Sequence, residues 1–249
     1  MQALAQWWRE WAALSAGQAW GLAPQGLAWD LVGLHRHSAT LAKVHTSQTL
    51  PIPMGRDPVD LSWLSQPLRR NGRSRGGLRH RLNLALPAAY LKQGVIVLPA
   101  DLPAENWPFE VQLEAARVLQ VGHDAVSFDF EPDPATPDQV RRIHWMGCTQ
   151  PHMAEFKNFT RAAGWRLAVV ESERQAAERG ARALQGGIAS LLTQAPQDWQ
   201  FLLPVNRTGS LGAGSVDSEV ALAGALDQVL NTPTGARLVA SGSALMAWR

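Results

Sequence analysis

The chain has 249 residues, of which 46% are hydrophobic and 18% charged, and its formal net charge is +2. A chain of this composition can bury enough apolar surface to offset its conformational entropy, which excludes disorder over the whole length. The single cysteine, Cys148, cannot form an internal disulfide, and this is typical of a reducing compartment. We therefore expect a soluble cytoplasmic protein with one large domain or two small ones that share a core.

The N-terminal segment, residues 3–14, is predicted to be a helix because its apolar residues recur at spacings of three and four. The face that they share consists of Leu4, Trp7, Trp8, Trp11 and Leu14. This face could pack on the protein itself, insert into a membrane interface or dock a partner, and self-packing is the simplest interpretation. No basic region is followed by an apolar one, so we expect no signal peptide. No apolar run approaches the roughly 20 residues of a membrane-spanning helix.

The remaining predicted elements mix strands and helices. In chain order they are strands at 20–22, 27–34 and 38–46, a helix at 57–68, strands at 82–87 and 95–99, a helix at 104–119, strands at 126–131 and 141–148, a helix at 151–163, a strand at 165–170, a helix at 171–184, apolar stretches at 188–193 and 199–205, a helix at 216–230, a strand at 236–240 and a helix at 242–248. Pro67 is expected near the end of its helix or at a kink in it. Hairpin-length turns join some strands and helices join others, which predicts a mixed sheet with helical layers.

One short stretch of the chain is strongly basic. Its arginines are Arg69, Arg70, Arg73, Arg75, Arg79 and Arg81. Such a run is typical either of a patch for nucleic acid or anionic lipid, or of a solvated loop. The run lacks the interleaved aromatic residues that single-strand binding uses, so we favour the solvated loop and expect no direct contact with nucleic acid.

No motif in the chain predicts a catalytic centre or a metal site. His35 and His37 lack an evident third ligand. The carboxylate pairs are Asp129 with Glu131 and Glu171 with Glu173, and nothing in their surroundings indicates an apolar pocket that would raise a pKa. The glycine-rich segment at 209–214 has no lysine to bind phosphate. We therefore predict no catalytic residue and no metal.

Several short motifs have an order and spacing that is specific when they are taken together. They are L-A-L-P at 84–87, I-V-L-P at 96–99, V-Q-L-E-A-A-R at 111–117, V-S-F-D-F at 126–130, A-A-G-W at 162–165, V-V-E at 169–171, E-R at 178–179 and L-V-A-S-G-S-A-L at 238–245. With these motifs the chain resembles the PilM family, the actin-like cytoplasmic proteins of type IV pilus assembly. Its size is closer to the shorter HofM-type relatives, and the cytoplasmic part of the secretion protein GspL is a further cousin.

The resemblance implies an α/β fold of the actin-like (ribonuclease H-like) type, built from mixed sheets with helices. It divides the chain into an N-terminal tryptophan-rich helix at 1–19, a first actin-like subdomain at 20–170 and a reduced second subdomain at 171–249. A PilM-type small subdomain is expected as an insertion at about 84–148. Family members are usually longer, and the shortfall lies between 184 and 238, where the second half carries its phosphate loop.

The first phosphate loop of the family reads like G-[LI]-D-[IL]-G, and the aligned residues here depart from it. Gly21 and Gly26 bracket the segment, with Ala23 at the position of the acid and Gln25 at the position of a glycine. Alanine cannot help to place a metal–phosphate unit, and Pro24 removes a backbone donor. We therefore expect a degenerate loop, no required cofactor and no enzymatic activity.

What the resemblance implies positively is partner binding. PilM-like proteins capture a short cytoplasmic N-terminal segment of a PilN-like inner-membrane protein, and an apolar groove suits an extended peptide of this kind. The residues expected to form the groove are Phe109, Leu113, Phe128 and Phe130, with Arg117 for polar contacts. The alternative interpretation of the apolar residues is ordinary core packing.

The leading hypothesis from the sequence is a non-catalytic scaffold of a type IV or competence pilus. A PilN-like protein would hold it at the inner membrane, and other pilus assembly proteins would be further partners. One alternative is an actin-like ATPase that retains nucleotide binding through divergent loops. Another is a GspL-like cytoplasmic component of type II secretion.

Overall fold

The computed structural model describes residues 17–56, 60–71, 80–133, 140–204 and 216–248. The strands are β1 Gln18–Gln25, β2 Ala28–Arg36, β3 Leu41–Pro51, β4 Arg81–Leu86, β5 Lys92–Pro99, β6 Val126–Pro132, β7 Val140–Thr149, β8 Arg166–Ser172 and β9 Gln200–Leu202. The α-helices are α1 Ser65–Asn71, α2 Trp107–Leu119, α3 Gln150–Ala162, α4 Glu173–Ala183, α5 Gly187–Thr193, α6 Val216–Val229 and α7 Pro233–Leu245. Single 3-10 turns occur at Leu61–Leu64, Ala104–Asn106, His123–Ala125, Pro196–Asp198 and Met246–Trp248.

Six of the strands form one mixed sheet in the order β8-β4-β1-β2-β3-β9. The first three strands of the chain pair as an antiparallel meander, whereas β4 is parallel to β1 and β8 is parallel to β4. Parallel neighbours need long crossover connections, and these contain α1 in the first case and α3 in the second. Three antiparallel strands followed by two parallel ones form the ribonuclease H-like arrangement, so the predicted mixed α/β fold is confirmed.

The two faces of this sheet bury different side chains because successive residues of a strand point to opposite faces. In β1, Ala19 and Ala23 belong to the core that α4 and α7 cover. Trp20 and Leu22 belong to the core that α1 and α3 cover. The sheet is therefore enclosed on both faces, and its central strands are almost continuously apolar, as is typical of buried strands.

The hydroxyl groups of three residues fix the starts of helices α3, α4 and α7. Thr149 accepts a hydrogen bond from the His152 amide, and Ser172 accepts one at 3.3 Å from the Gln175 amide. Thr232 accepts one from the amide of Gly235 at 3.2 Å. Ser and Thr are favoured at these positions because their side chains satisfy amides that the first helical turn leaves unpaired.

A smaller, three-stranded antiparallel sheet, in the order β5-β7-β6, lies between β4 and α3 in the chain. Helix α2 covers one of its faces and forms a separate third core with it. The sheet runs from Lys92–Pro99 to Val140–Thr149, and the sequence predicts an inserted small subdomain at about 84–148. We call these strands, together with α2, the small subdomain.

Helix α7 replaces the strand that the sequence predicts at 236–240, and that prediction was wrong. Its residues from Gly235 to Leu245 are buried with the exception of Arg237, because α7 lies between the large sheet and α4. A helix enclosed on both sides shows no amphipathic period, so its small and apolar residues give no helical pattern. The expected last helix at 242–248 is the end of α7 with the 3-10 turn that follows it.

The elements after residue 171, where the sequence predicts a reduced second subdomain, all contribute to the large sheet or its helical cover. Strand β9 pairs with β3 at the sheet edge, and α4 and α7 contribute to the core of one face. Pro67 lies in the first turn of α1, where proline is tolerated, rather than near its end. The helix predicted at 3–14 and the glycine-rich segment at 209–214 lie outside the described residues.

Candidate partner-binding site

Helix α2 gives the small subdomain an apolar surface that faces solvent. The helix has Pro108 in its first turn. Gln120, the residue directly after its end, has a left-handed φ of 56°. Val111, Ala115 and Ala116 turn inward to the sheet. Trp107 and Leu119 pack against the same core, whereas Phe109 and Leu113 form an outer stripe that the sheet does not bury.

This outer stripe contains two of the predicted groove residues. Phe109 is 55% exposed and Leu113 is 41% exposed, and both belong to the few large apolar side chains that remain in water. Their spacing of four places them next to each other on the helix surface. An apolar pair of this size on a rigid helix is a suitable anchor for a partner side chain.

Arg117 continues the stripe one turn further along the helix. Its guanidinium donates two hydrogen bonds to Glu114, at 2.8 and 2.7 Å. These bonds raise the pKa of Arg117 and lower the pKa of Glu114. These bonds use two of its five N–H groups, so the exposed guanidinium keeps donors for polar contacts with a partner.

Phe128 and Phe130, the other predicted groove residues, lie on β6. Both are partly buried and pack against the third core. In register they stand opposite Gly147 and Trp145 of β7. The structure thus brings all five predicted residues into one subdomain, with two of them exposed on α2 and the two phenylalanines of β6 contributing to its core.

Strand β6 also offers backbone groups to a partner. Among the described residues it pairs on one side alone, with β7, so its other edge carries amide and carbonyl groups with no strand beside them. An extended peptide can add to such an edge through main-chain hydrogen bonds. The edge and the outer stripe of α2 are the two features of the small subdomain that suit peptide capture.

The sequence did not single out the outer face of β5. Val95 is 50% exposed and Val97 is 56% exposed, whereas Leu98 belongs to the third core. The run V-I-V-L contains no polar residue, so it could not indicate which of its residues point outward. The alternation becomes visible only when the strand is placed at an edge of the small sheet, against β7.

The segment at 21–26, for which the sequence predicts a degenerate phosphate loop, lies in a regular hairpin. Residues from Gln18 to Gln25 pair with β2 along their whole length, and Gly26, with a φ of 53°, begins the two-residue turn. Ala23 is fully buried, and a Cβ atom on Gly21 would overlap the carbonyl oxygen of Ala240. Gly21 therefore serves the close approach of α7 to the sheet, and Ala23 supplies no group that could bind a ligand.

Opposite Ala23 in the register lies Asp30, a buried acid that the sequence did not indicate. Its Oδ1 atom accepts a hydrogen bond of 2.5 Å from Thr49 and lies 3.8 Å from Nε of Arg237. Burial raises the pKa of Asp30, and the bond from Thr49 and the charge of Arg237 oppose that rise. No group of three or more His, Cys, Asp or Glu that could hold a metal ion occurs among the described residues.

Other residues singled out in the sequence, one member of each carboxylate pair and the single cysteine, are held in an ion pair, in a hydrogen bond or in the core. Glu171 forms an ion pair with Arg179 at 2.6 Å, and Asp129 accepts a hydrogen bond from the Phe130 amide. Cys148 is buried, and burial raises the pKa of its thiol to about 11. A thiol with so high a pKa stays protonated at neutral pH and is a poor nucleophile.

Two comparisons with known proteins give no match: no family model fits the chain, and no curated protein resembles it in sequence. The fold, however, is shared with a solved structure. A chain of the PilM–PilN type IV pilus biogenesis complex is similar with a TM-score of 0.53 and 20% sequence identity. This similarity covers 66% of the present chain and 52% of the PilM–PilN chain.

A second solved structure is the cytoplasmic domain of EpsL, an inner-membrane component of the type II secretion system of Vibrio cholerae. It matches with a TM-score of 0.48 and 9% identity, over 64% of this chain and 58% of that one. The present chain thus spans between half and three fifths of the length of the two solved chains. No helix in the described ranges has the length and apolar character needed to cross a membrane.

Proposed function

We propose that this chain is a non-catalytic scaffold of type IV pilus or competence pilus assembly, which binds the cytoplasmic N-terminal tail of a PilN-like inner-membrane protein. The observation that carries the proposal is the similarity of its backbone to a chain of the PilM–PilN complex over 66% of its length. The binding would hold the protein at the cytoplasmic side of the inner membrane. The motifs of the sequence, in family order, support the same assignment.

The small subdomain is the proposed binding surface. Phe109 and Leu113 supply exposed apolar anchors on α2, and the open edge of β6 supplies main-chain donors and acceptors. An extended tail that pairs with this edge would gain affinity from backbone hydrogen bonds and specificity from its apolar side chains. Phe128 and Phe130 hold the edge strand to its core, so they shape the surface more than they contact the tail.

The test is a direct binding measurement with a synthetic peptide. The peptide is the fluorescein-labelled cytoplasmic N-terminal segment of the PilN-like protein encoded by the same genome, and its fluorescence anisotropy is followed as the purified chain is added. We expect a dissociation constant in the micromolar range. Phe109→Asp should weaken binding about tenfold, because a charge would have to be buried against the peptide.

The matched control is Leu192→Asp on α5, where the leucine is 67% exposed and far in the sequence from the small subdomain. It makes the same kind of change on another apolar surface position and should leave the peptide affinity unaltered. Absence of binding at high micromolar chain concentration would contradict the proposed partner. Equal weakening by both variants would contradict the proposed surface.

The non-catalytic part of the proposal needs its own test, because actin-like folds also include ATPases. Support for it comes from the buried Ala23 and from Gly21, which is occupied by the contact with α7. Isothermal titration with ATP and magnesium should give no heat of binding at micromolar concentrations. A low micromolar affinity would favour the alternative, an actin-like protein that retains its nucleotide.

A further inference from the structure

A cleft of about 570 Å³ lies on the large-sheet side of the molecule, between the end of β3 and helix α1. One wall comes from the strand and the turn that follows it, and the other comes from the 3-10 turn at Leu61–Leu64 and from α1. The residues that determine its chemistry are Gln48, Arg56, Trp63, Gln66, Pro67 and Arg70. None of them belongs to the small subdomain, so the cleft is distinct from the surface proposed for the tail.

Three prolines stiffen the walls of the cleft, whose other lining residues are mostly polar. Pro51 and Pro53 form part of one wall and Pro67 part of the other, and proline has a fixed φ that limits local movement. Trp63 is 8% exposed, and its indole N–H is buried without an acceptor among the described residues. The small exposed part of Trp63 adds an apolar contact to this wall.

The charge of the cleft has one sign. Among the described residues that line it, the charged ones are Arg56 and Arg70, and none is acidic. Arg56 is partly neutralised by Asp60, with its Nη1 atom at 3.4 Å from the carboxylate. Arg70 is exposed and has no ion-pair partner within the described ranges, so it is the cation that a ligand would meet.

We propose that this cleft binds an acidic, extended segment of a partner protein, with a carboxylate of the segment on Arg70 and its apolar atoms against Trp63 and the prolines. Charge complementarity identifies the partner as acidic, since arginine forms forked hydrogen bonds with carboxylates. The concave shape favours a single chain over a bilayer, whose flat surface cannot enter a cleft.

The experiment uses the full chain and a fluorescein-labelled dodecapeptide of alternating glutamate and proline, which is acidic and stays extended. We expect micromolar binding by fluorescence anisotropy at low salt. Arg70→Glu should weaken it about tenfold because the anchoring charge is reversed. Arg70→Lys, which keeps the charge, should weaken it less than Arg70→Glu does.

The matched control is Arg161→Glu, which makes the same charge change at an exposed position of α3. It should leave the affinity within about twofold of the parent, since surface charges outside the contact act weakly at a distance. Circular dichroism of each variant establishes that the fold is retained. A lysine–proline peptide of the same length should not bind.

Three results would overturn the proposal. The first is no binding of the acidic peptide, and the second is equal loss with Arg70→Glu and Arg161→Glu. The third is tighter binding of phosphatidylglycerol-containing vesicles or of single-stranded oligothymidine than of the peptide, which would assign the basic surface to lipid or nucleic acid. None of these results bears on the tail-binding surface, so the two proposals succeed or fail separately.

Discussion

Helices α2 and α7 each have 13 residues, yet they lie in opposite environments. Helix α7 is buried from Gly235 to Leu245, except at Arg237, between the large sheet and α4, whereas α2 fully buries only Val111, Ala115 and Ala116. Helix α7 has small residues that allow backbone contact on both sides, and α2 has large apolar residues that remain in water. The comparison separates a region that is completed by its own chain from a region whose apolar surface is left for a partner.

The largest loss of stability is expected from a substitution at the site where the backbones of α7 and α4 are in direct contact. A Cβ atom on Gly242 would overlap the carbonyl oxygen of Ala176, and neither helix can move away because both are packed on the large sheet. We expect Gly242→Ala to lower the free energy of unfolding by about 3 kcal/mol or more. Urea denaturation followed by circular dichroism measures this change.

Gly224→Ala is the control for that substitution. Gly224 lies in α6, and a Cβ atom there would meet nothing within 4 Å. Because alanine is the better helix former, this variant should be unchanged or more stable, by about 0.5–1 kcal/mol. If Gly242→Ala were equally harmless, the close contact between α4 and α7 would not exist in solution.

A second loss of stability, no larger than the first, is expected when the ion pair of the same region is removed. Arg179 donates two hydrogen bonds to Glu171, at 2.9 and 2.6 Å, and a third to the carbonyl oxygen of Gly242 at 2.9 Å. Its side chain is 19% exposed and that of Glu171 is 6% exposed. We expect Arg179→Ala to cost about 3 kcal/mol in the same measurement, since it leaves the carboxylate buried without its partner.

The comparison for this ion pair is Arg182→Ala on the surface of the same helix. Arg182 lies 3.7 Å from Glu178, and its side chain is 58% exposed. An exposed pair of this kind contributes between about 0 and 1 kcal/mol, because water and salt screen it. Equal losses for the two arginine variants would mean that Arg179 does not link β8, α4 and α7 as the geometry indicates.

The same contrast explains what the sequence could and could not predict. The sequence predicts the helix α2, but it does not show that the buried stripe is Val111, Ala115 and Ala116. The helix has two apolar stripes, and local spacing does not determine which of them meets a sheet. The large apolar residues predicted for the groove could be chosen from the sequence, but their exposure depends on tertiary packing.

For α7 the failure has another cause. A helix that is buried on both sides has no polar face, so residues 236–240 suggested a short strand by their apolar character. The buried Asp30 was missed for a related reason, because its partners Thr49 and Arg237 are distant in the sequence. The order of strands in the large sheet could not be predicted from local patterns, because neighbouring strands such as β4 and β8 are far apart in the sequence. Only the resemblance to a family indicated the fold that contains them.

The smallest expected effect is at the outer stripe of α2, and it tests whether that stripe is free in the isolated chain. Leu113 is 41% exposed, and glutamine is a good helix former, so Leu113→Gln should change the free energy of unfolding by no more than about 0.5 kcal/mol. The same substitution at Leu238 of α7, which is fully buried, should cost about 3 kcal/mol or more because it buries an amide without partners. A loss above about 2 kcal/mol for Leu113→Gln would exceed what surface positions show and would mean that the stripe is already covered in solution. If a second copy of the chain covers the stripe, the sedimentation coefficient should depend on concentration. Such self-association would compete with a peptide for the same residues.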